Sequence, residues 1–158
     1  MELLSYHLCD EHASIELGTQ MADILTPGMV IHLSGNLGAG KTTLVRAMLR
    51  QLGVTGAIKS PTYSVVEVYV ISKFIVYHLD FYRFQSENEW EALGMRDMLT
   101  DEAVLLIEWP EMAGLTLPEP DLSITLSAGQ QGRNVTIKAH TDKARQQLTL
   151  LNYVEKMD

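Results

Sequence analysis

Apolar positions along this chain alternate between two periods, one near two residues and one near 3.6, and each change of period marks an element boundary. Residues 2–8 read as a short strand. Asp10 is placed to cap a helix reaching about Leu25, with Ile15, Leu17, Met21, Ala22 and Leu25 as its apolar face, and Pro27-Gly28 ends it. A strand from Met29 to Leu33 follows. Lys41 to Leu52 then returns to helical spacing through Leu44, Val45, Met48, Leu49 and Leu52, and stops at Gly53. Tyr63 to Ile71 and Phe74 to Leu79 are β-branched and aromatic runs separated by Ser72-Lys73, the pattern of an antiparallel hairpin. Ala103 to Ile107 is continuously apolar, as a strand buried on both faces must be. Asp121 to Ser127 and Asn134 to Ala139 alternate around Gly129-Gln130-Gln131-Gly132, a second hairpin. From Thr141 onward, Ala144, Leu148, Leu151 and Val154 suggest a terminal amphipathic helix.

One stretch organises these elements. Gly35-Asn36-Leu37-Gly38-Ala39-Gly40-Lys41-Thr42 fits the phosphate-binding pattern G-x-x-x-x-G-K-[ST] at every fixed position, after a strand and before a helix as the pattern demands. Such a loop answers a phosphate chain with backbone N–H groups, the ammonium of Lys41 and the start of a helix dipole, while Thr42 offers a hydroxyl to a Mg²⁺ that bridges the phosphates. The predicted architecture is an α/β, P-loop NTPase-like mixed sheet with a parallel core and antiparallel hairpins, flanked by helices, with residues 1–158 as a single ATPase domain.

Candidate chemistry elsewhere is read relative to that loop. Asp80 and Glu108 each stand at the carboxyl end of a predicted strand, where open α/β sheets place their ligands. A carboxylate ending a buried strand needs a cation or water there, so both are candidates for the Mg²⁺ shell and Glu108 for handling the attacking water; for Asp80 the alternative is capping the next turn. His78 reads as a packed or hydrogen-bonded histidine rather than a ligand. Trp109 either covers the site, docks a partner or packs in the core. Ser60-Pro61-Thr62 forms either a nucleotide-sensing switch or a turn capped by its own hydroxyls. Ser86 and Glu89 have capping-box spacing ahead of a short helix containing Trp90 and Leu93, which Gly94 breaks before Met98 and Leu99. Arg133 closes the second hairpin turn and reads as a solvated turn residue, the alternative being an arginine that reaches a nucleotide base or phosphate.

Composition narrows the function classes. A formal net charge of -8 repels nucleic acid, so any RNA connection is indirect or local. Cys9 is the only cysteine, which excludes an intramolecular disulfide and any multi-cysteine zinc site and suits a reducing compartment. The sequence has neither a signal-peptide pattern nor a long apolar run, so the expected location is the cytoplasm, away from the membrane.

The combination G-N-L-G-A-G-K-T-T at 35–43, S-P-T-Y at 60–63, H-L-D-F-Y-R at 78–83 and I-E-W-P-E at 107–111 resembles the TsaE (YjeE) family, small bacterial ATPases of tRNA threonylcarbamoyladenosine biosynthesis. The resemblance spans essentially the whole chain. It implies a Mg²⁺-dependent ATP/ADP cycle, weak alone, that resets a complex of a threonylcarbamoyl transferase and its inactive paralogue acting on adenosine 37 of tRNA; this chain is then not the transferase and meets tRNA only through that complex. Residue by residue it implies phosphate binding by Gly35 and by Gly38, Ala39, Gly40, Lys41, Thr42 and Thr43, and a metal shell of Thr42, Asp80 and Glu108. Lys41, Asp80 and Glu108 would carry the chemistry, Glu108 also positioning water. Ser60, Pro61 and Thr62 would be the switch, Trp109 an aromatic at the partner-facing edge, and Glu11 would lie near the adenine. Rival classes are a nucleotide-gated adaptor that hardly turns ATP over and, less well supported, a small-molecule kinase, for which no arginine-rich lid segment is present. A regulatory GTPase is disfavoured, because no N-K-x-D segment follows the loop to read guanine.

Overall fold

In a computed structural model, which describes residues 2–155, the described strands form one seven-stranded sheet in the order β1-β7-β6-β2-β5-β4-β3. The strands are β1 (Leu3–Leu8), β2 (Val30–Ser34), β3 (Val66–Val70), β4 (Ile75–Asp80), β5 (Ala103–Glu108), β6 (Leu122–Ala128) and β7 (Arg133–Ala139). Strand β2 lies in the middle and runs parallel to β5 and β6, and β4 runs parallel to β5. The hairpins β3–β4 and β6–β7 and the pair β1–β7 are antiparallel, so the mixed sheet expected from the sequence is the one observed.

Each face of the sheet carries its own core. Helices α1 (Glu11–Ala22), α2 (Lys41–Gln51) and α4 (Asp142–Leu148) cover one face, burying Leu17, Met21, Leu44, Met48 and Leu148 against Ile31, Leu33, Leu106, Ile124 and Ile137. The short α3 (Glu89–Ala92) and the 3₁₀ segments Met95–Met98 and Pro110–Thr116 cover the other, with Trp90 and Met95 against Leu79, Leu105 and Ile107. Strand β5 is buried at all six positions because it is covered on both faces, which explains its unbroken apolar run. No helix among the described residues is long and apolar enough to cross a membrane.

Several sequence expectations are corrected by packing. Helix α1 begins with the expected cap, Ala13 N–H donating to Asp10 at 2.9 Å, but ends at Ala22, and Leu25 is buried from a turn rather than a helix. Ile15 is exposed; the buried face of α1 runs through Ala13, Leu17 and Met21 with Ser14 and Gly18, and Ile15 falls to one side of it. Strand β3 starts at Val66 rather than Tyr63, since the Val65 N–H donates to Pro61 O at 2.8 Å and Val65 itself is left-handed at φ 70°, leaving Tyr63 on an exposed turn. At the carboxyl end, Val154 is exposed and Tyr153 takes the inward position against Tyr6. Of the capping box, the glutamate half forms: the Glu89 carboxylate accepts from the Gln85 and Ser86 N–H groups. Leu93 stays exposed.

Two predictions test this packing. A Cβ on Gly18 would lie 2.7 Å from Leu44 O and 2.8 Å from the Ala47 Cβ, so α1 and α2 touch through this residue. Although alanine favours helix by up to about 1 kcal/mol, Gly18→Ala should destabilise by roughly 1–3 kcal/mol, read as a lower urea midpoint. His32, on β2, is held neutral: burial, and secondarily the neighbouring His140, push its pKa down to about 4 from 6.5, and its Nε2 has no hydrogen-bond partner among the described residues. The unfolded chain takes up this proton first, so the stability it contributes is complete above pH 6.5 and is lost as pH falls toward 4, a change on the order of 2–3 kcal/mol. His32→Leu should flatten that limb of stability against pH in denaturant titrations.

Candidate nucleotide-binding site

The chain leaves β2 at Ser34 and must turn sharply, because β6 runs alongside. A Cβ on Gly35 would sit 2.6 Å from Leu126 O, so no larger residue fits where the loop begins. Gly40 ends the loop at φ 102°, in the left-handed region, as the residue before α2. The contrast among helix starts is informative. Asp10 caps α1 and Thr141 caps α4 through their side chains, whereas no side chain caps α2. The first N–H groups of α2, and the positive end of its dipole, are therefore available to an anion.

Around that helix start lies a cavity of about 280 Å³, lined by Gly38, Ala39, Gly40, Lys41, Thr42 and Thr43 of the loop and helix, by Ser60 and Thr62, by Asp80, Glu108 and Trp109, and by Leu37 and Arg133. The structure thus brings together most residues singled out from the sequence. Gly35 and Pro61 shape the backbone outside this lining. Glu11 lines the neighbouring cavity of about 320 Å³, which it shares with Asp10, Gly40, Thr43 and Arg133.

Register explains why the two acids meet. Asp80 on β4 and Glu108 on β5 are directly paired residues of adjacent parallel strands, so their side chains leave the sheet on the same face, the one α2 covers. Lys41, Asp80 and Glu108 are 5 %, 6 % and 4 % exposed. Burial raises the Asp80 carboxyl above its usual range, and Glu108 adds to that rise; the Tyr82 N–H, donating to its Oδ1 at 2.8 Å, opposes it, as do Lys41 and His78. Asp80 hence both caps the following turn and lines the cavity. Burial likewise lowers the Lys41 ammonium, while Glu108, Asp80 and Glu111 hold it up. Its Nζ donates to Gly35 O and lies 4.0 Å from the centroid of the Trp109 ring, and none of the ion pairs among the described residues includes it.

Trp109 is left-handed at φ 56°, an uncommon conformation for a bulky residue, and it follows Glu108 directly. Its ring is half-buried, packs on the second core and lies 4.9 Å from the Tyr82 ring, so it both covers the site and joins the core. The Ser60 and Thr62 hydroxyls stand 2.7 Å apart, so this segment bonds to itself while facing the loop. Arg133 corrects the sequence reading. It is not a solvated turn residue: Nη2 donates to Gly38 O at 2.9 Å and Nη1 to Gly132 O at 3.0 Å, so the guanidinium braces the phosphate loop from the β6–β7 hairpin. Nothing local in the sequence marks it, because the approach depends on β6 lying beside β2. His78 is a hydrogen-bonded core histidine, as expected, and its partner is Glu108, with Nε2 and Oε2 2.6 Å apart.

Comparison with known proteins agrees with this fold. A family model described as "Threonylcarbamoyl adenosine biosynthesis protein TsaE" matches residues 8–135. The chain is 38% identical over 147 residues to the tRNA threonylcarbamoyladenosine biosynthesis protein TsaE of Haemophilus influenzae, covering 90% of this chain and 93% of that one. To the protein of the same name from Bacillus subtilis it is 31% identical over 140 residues, covering 88% and 87%. The crystal structure of Bacillus subtilis YdiB superposes with a TM-score of 0.81 at 26% identity, over 95% of this chain and 94% of that one. With the phosphate loop, the paired strand-end acids and near full-length likeness in hand, the chain belongs to the TsaE family.

Proposed function

We propose that this chain is a magnesium-dependent ATPase that supports threonylcarbamoyladenosine formation in tRNA by binding and resetting the complex that transfers the threonylcarbamoyl group. The observation that carries the reading is the convergence, in one cavity, of an uncapped helix start, a buried ammonium and two buried, directly paired carboxylates. Phosphate oxygens would accept from the N–H groups of the loop and α2 and from Lys41, with Arg133 keeping the loop in shape. Asp80 and Glu108 side by side out of water form a pair of hard oxygen ligands that suits a divalent cation, and burial first, with the neighbouring Glu108 second, raises the Asp80 pKa. Thr42 and the two acids are the residues to hold Mg²⁺, which when bound supplies charge neutralisation between acids and phosphates. Among the described residues no group of three or more His, Cys, Asp or Glu side chains forms a ready-made metal site, which suits an ion held partly by the nucleotide.

In the hydrolytic step, Glu108 accepts a hydrogen bond from water and orients it. The water oxygen bonds to the terminal phosphorus, the bond from that phosphorus to the bridging oxygen breaks, and its electron pair leaves with ADP. The water proton passes through the carboxylate to solvent. The partners are the threonylcarbamoyl transferase and its inactive paralogue. The names of the matched relatives support the pathway, and the net charge of -8 is in keeping with a chain that leaves tRNA contact to those partners.

Calorimetry with ADP and ATP, paired with phosphate-release assays, tests the site. Lys41→Ala should weaken nucleotide binding at least tenfold, and Glu108→Gln should keep the nucleotide while losing on the order of 10²–10⁴ in turnover. A wild-type protein that binds ATP tightly but never hydrolyses it, with or without partners, would be a nucleotide-gated adaptor instead. A reconstitution with transferase, paralogue, tRNA and threonylcarbamoyl-adenylate tests the role: repeated rounds of modification should require this chain and ATP, whereas undiminished rounds without it would defeat the reading.

A further inference from the structure

His78 ends up beside Glu108 for the same reason that Asp80 does. Residues 78 and 80 of β4 alternate onto the α2 face of the sheet, and β5 runs parallel in register with Leu106 opposite His78 and Glu108 opposite Asp80. The imidazole therefore reaches diagonally to Glu108, and Nε2 and Oε2 lie 2.6 Å apart in a contact between side chains that are 2 % and 5 % exposed. With a carboxylate as its partner, Nε2 carries the shared hydrogen. The other ring nitrogen, Nδ1, is buried and has no partner among the described residues. As core filler, an imidazole is a poor choice here, since an aliphatic side chain would occupy the space without burying an unpaired nitrogen.

What the histidine gains is control of a carboxylate in a crowded electrostatic setting. Lys41 is surrounded by Glu108, Asp80 and Glu111, yet it forms no ion pair with any of them and donates to Gly35 O. A Glu108 without a partner would lower its energy by turning to that ammonium, which would occupy both the group meant for phosphate and the group meant for water. We propose that His78 is a positioning residue: its hydrogen bond to one oxygen of Glu108 restrains the carboxylate away from Lys41 and leaves the second oxygen to orient the attacking water. This rests on the ATPase reading above. His78 does not line the cavity; it acts through Glu108, as outer partners orient the ligands and bases of other sites.

The test is a double-mutant cycle on the full chain, with single-turnover ATP hydrolysis, ATP and ADP affinity, and thermal melting as readouts. His78→Leu should lower the hydrolysis rate roughly 10–100-fold while leaving nucleotide affinity within about twofold, whereas a merely structural residue would move melting and affinity together. His78→Gln, which returns an amide donor toward Glu108, should recover most of the lost rate. In the Glu108→Gln background, His78→Leu should cause no further loss, because the histidine then has no carboxylate to hold. Should His78→Leu fail to fold, His78→Asn, whose amide is too short to reach Glu108, carries the same comparison. A rate for His78→Leu within twofold of wild type, or losses that multiply in the double variant, would overturn the proposal while Glu108-dependent hydrolysis stands. Wild-type protein with no ATP turnover, alone or with its partners, would remove the ATPase reading and this inference with it.

Discussion

Three ionisable side chains, Lys41 at the start of α2 and Asp80 and Glu108 at the carboxyl ends of parallel strands, are held almost entirely out of water, and the rest of the structure is arranged to tolerate them. Unpaired charge in such a setting is expensive, and the molecule limits the cost by proximity rather than by ion pairing. The acids sustain the ammonium, the ammonium moderates Asp80, the Tyr82 N–H serves Asp80, and His78 serves Glu108. Lys41 itself is satisfied by a backbone carbonyl and an aromatic face, neither of which removes its charge. Neither Lys41 nor Asp80 takes part in an ion pair among the described residues, which is the condition under which the proposed nucleotide and divalent cation would bind with the largest electrostatic gain.

Backbone proximity sets where that charge stands. The loop fits only because Gly35 lets β2 turn beside the Leu126 carbonyl of β6, and the same neighbour brings Arg133 back across the sheet to Gly38. The β6–β7 hairpin is thereby mechanically joined to the phosphate loop, although the two are about a hundred residues apart in sequence. On the opposite side of the loop, β4 and β5 deliver the acids, and the left-handed backbone at Trp109 folds the indole back over Lys41. Each wall of the cavity thus comes from a different strand end, so its shape depends on the order of the whole sheet and not on the loop alone.

That dependence explains how much could be read in advance. The loop, its strand and its helix are local in sequence and were legible from spacing; Asp80 was legible from its place at the carboxyl end of a predicted strand, and Glu108 because it ends an apolar run abruptly. What was not legible required partners distant in the chain. Arg133 resembles any turn arginine until β6 is set beside β2. Tyr63 continues a β-branched run, and only the Pro61–Val65 turn, closed by a backbone hydrogen bond, takes it out of the strand. Ile15 and Val154 satisfy a helical period that packing does not use, since α1 meets α2 through Gly18 and the chain after α4 turns Tyr153 inward instead. His78 stands two residues before Asp80 on the same face of β4 and reads only as a packed or hydrogen-bonded histidine; its partner required the register of β4 against β5.

A set of charges like this one is a poor means to stability. Aliphatic residues of similar volume at 41, 80 and 108 would remove three desolvation costs, and replacements of buried ionic groups by hydrophobic ones are often neutral or stabilising by about 1–4 kcal/mol. The surrounding packing offsets the cost: Leu33, Leu79 and Ile107, the residues adjoining the site on β2, β4 and β5, are fully buried, and β5 is covered along its length. A well-packed parallel core therefore acts as the support that lets its strand ends carry an unfavourable electrostatic arrangement, and the direction of that trade, stability given up at the strand ends and recovered between them, is what a site built for binding rather than for folding looks like.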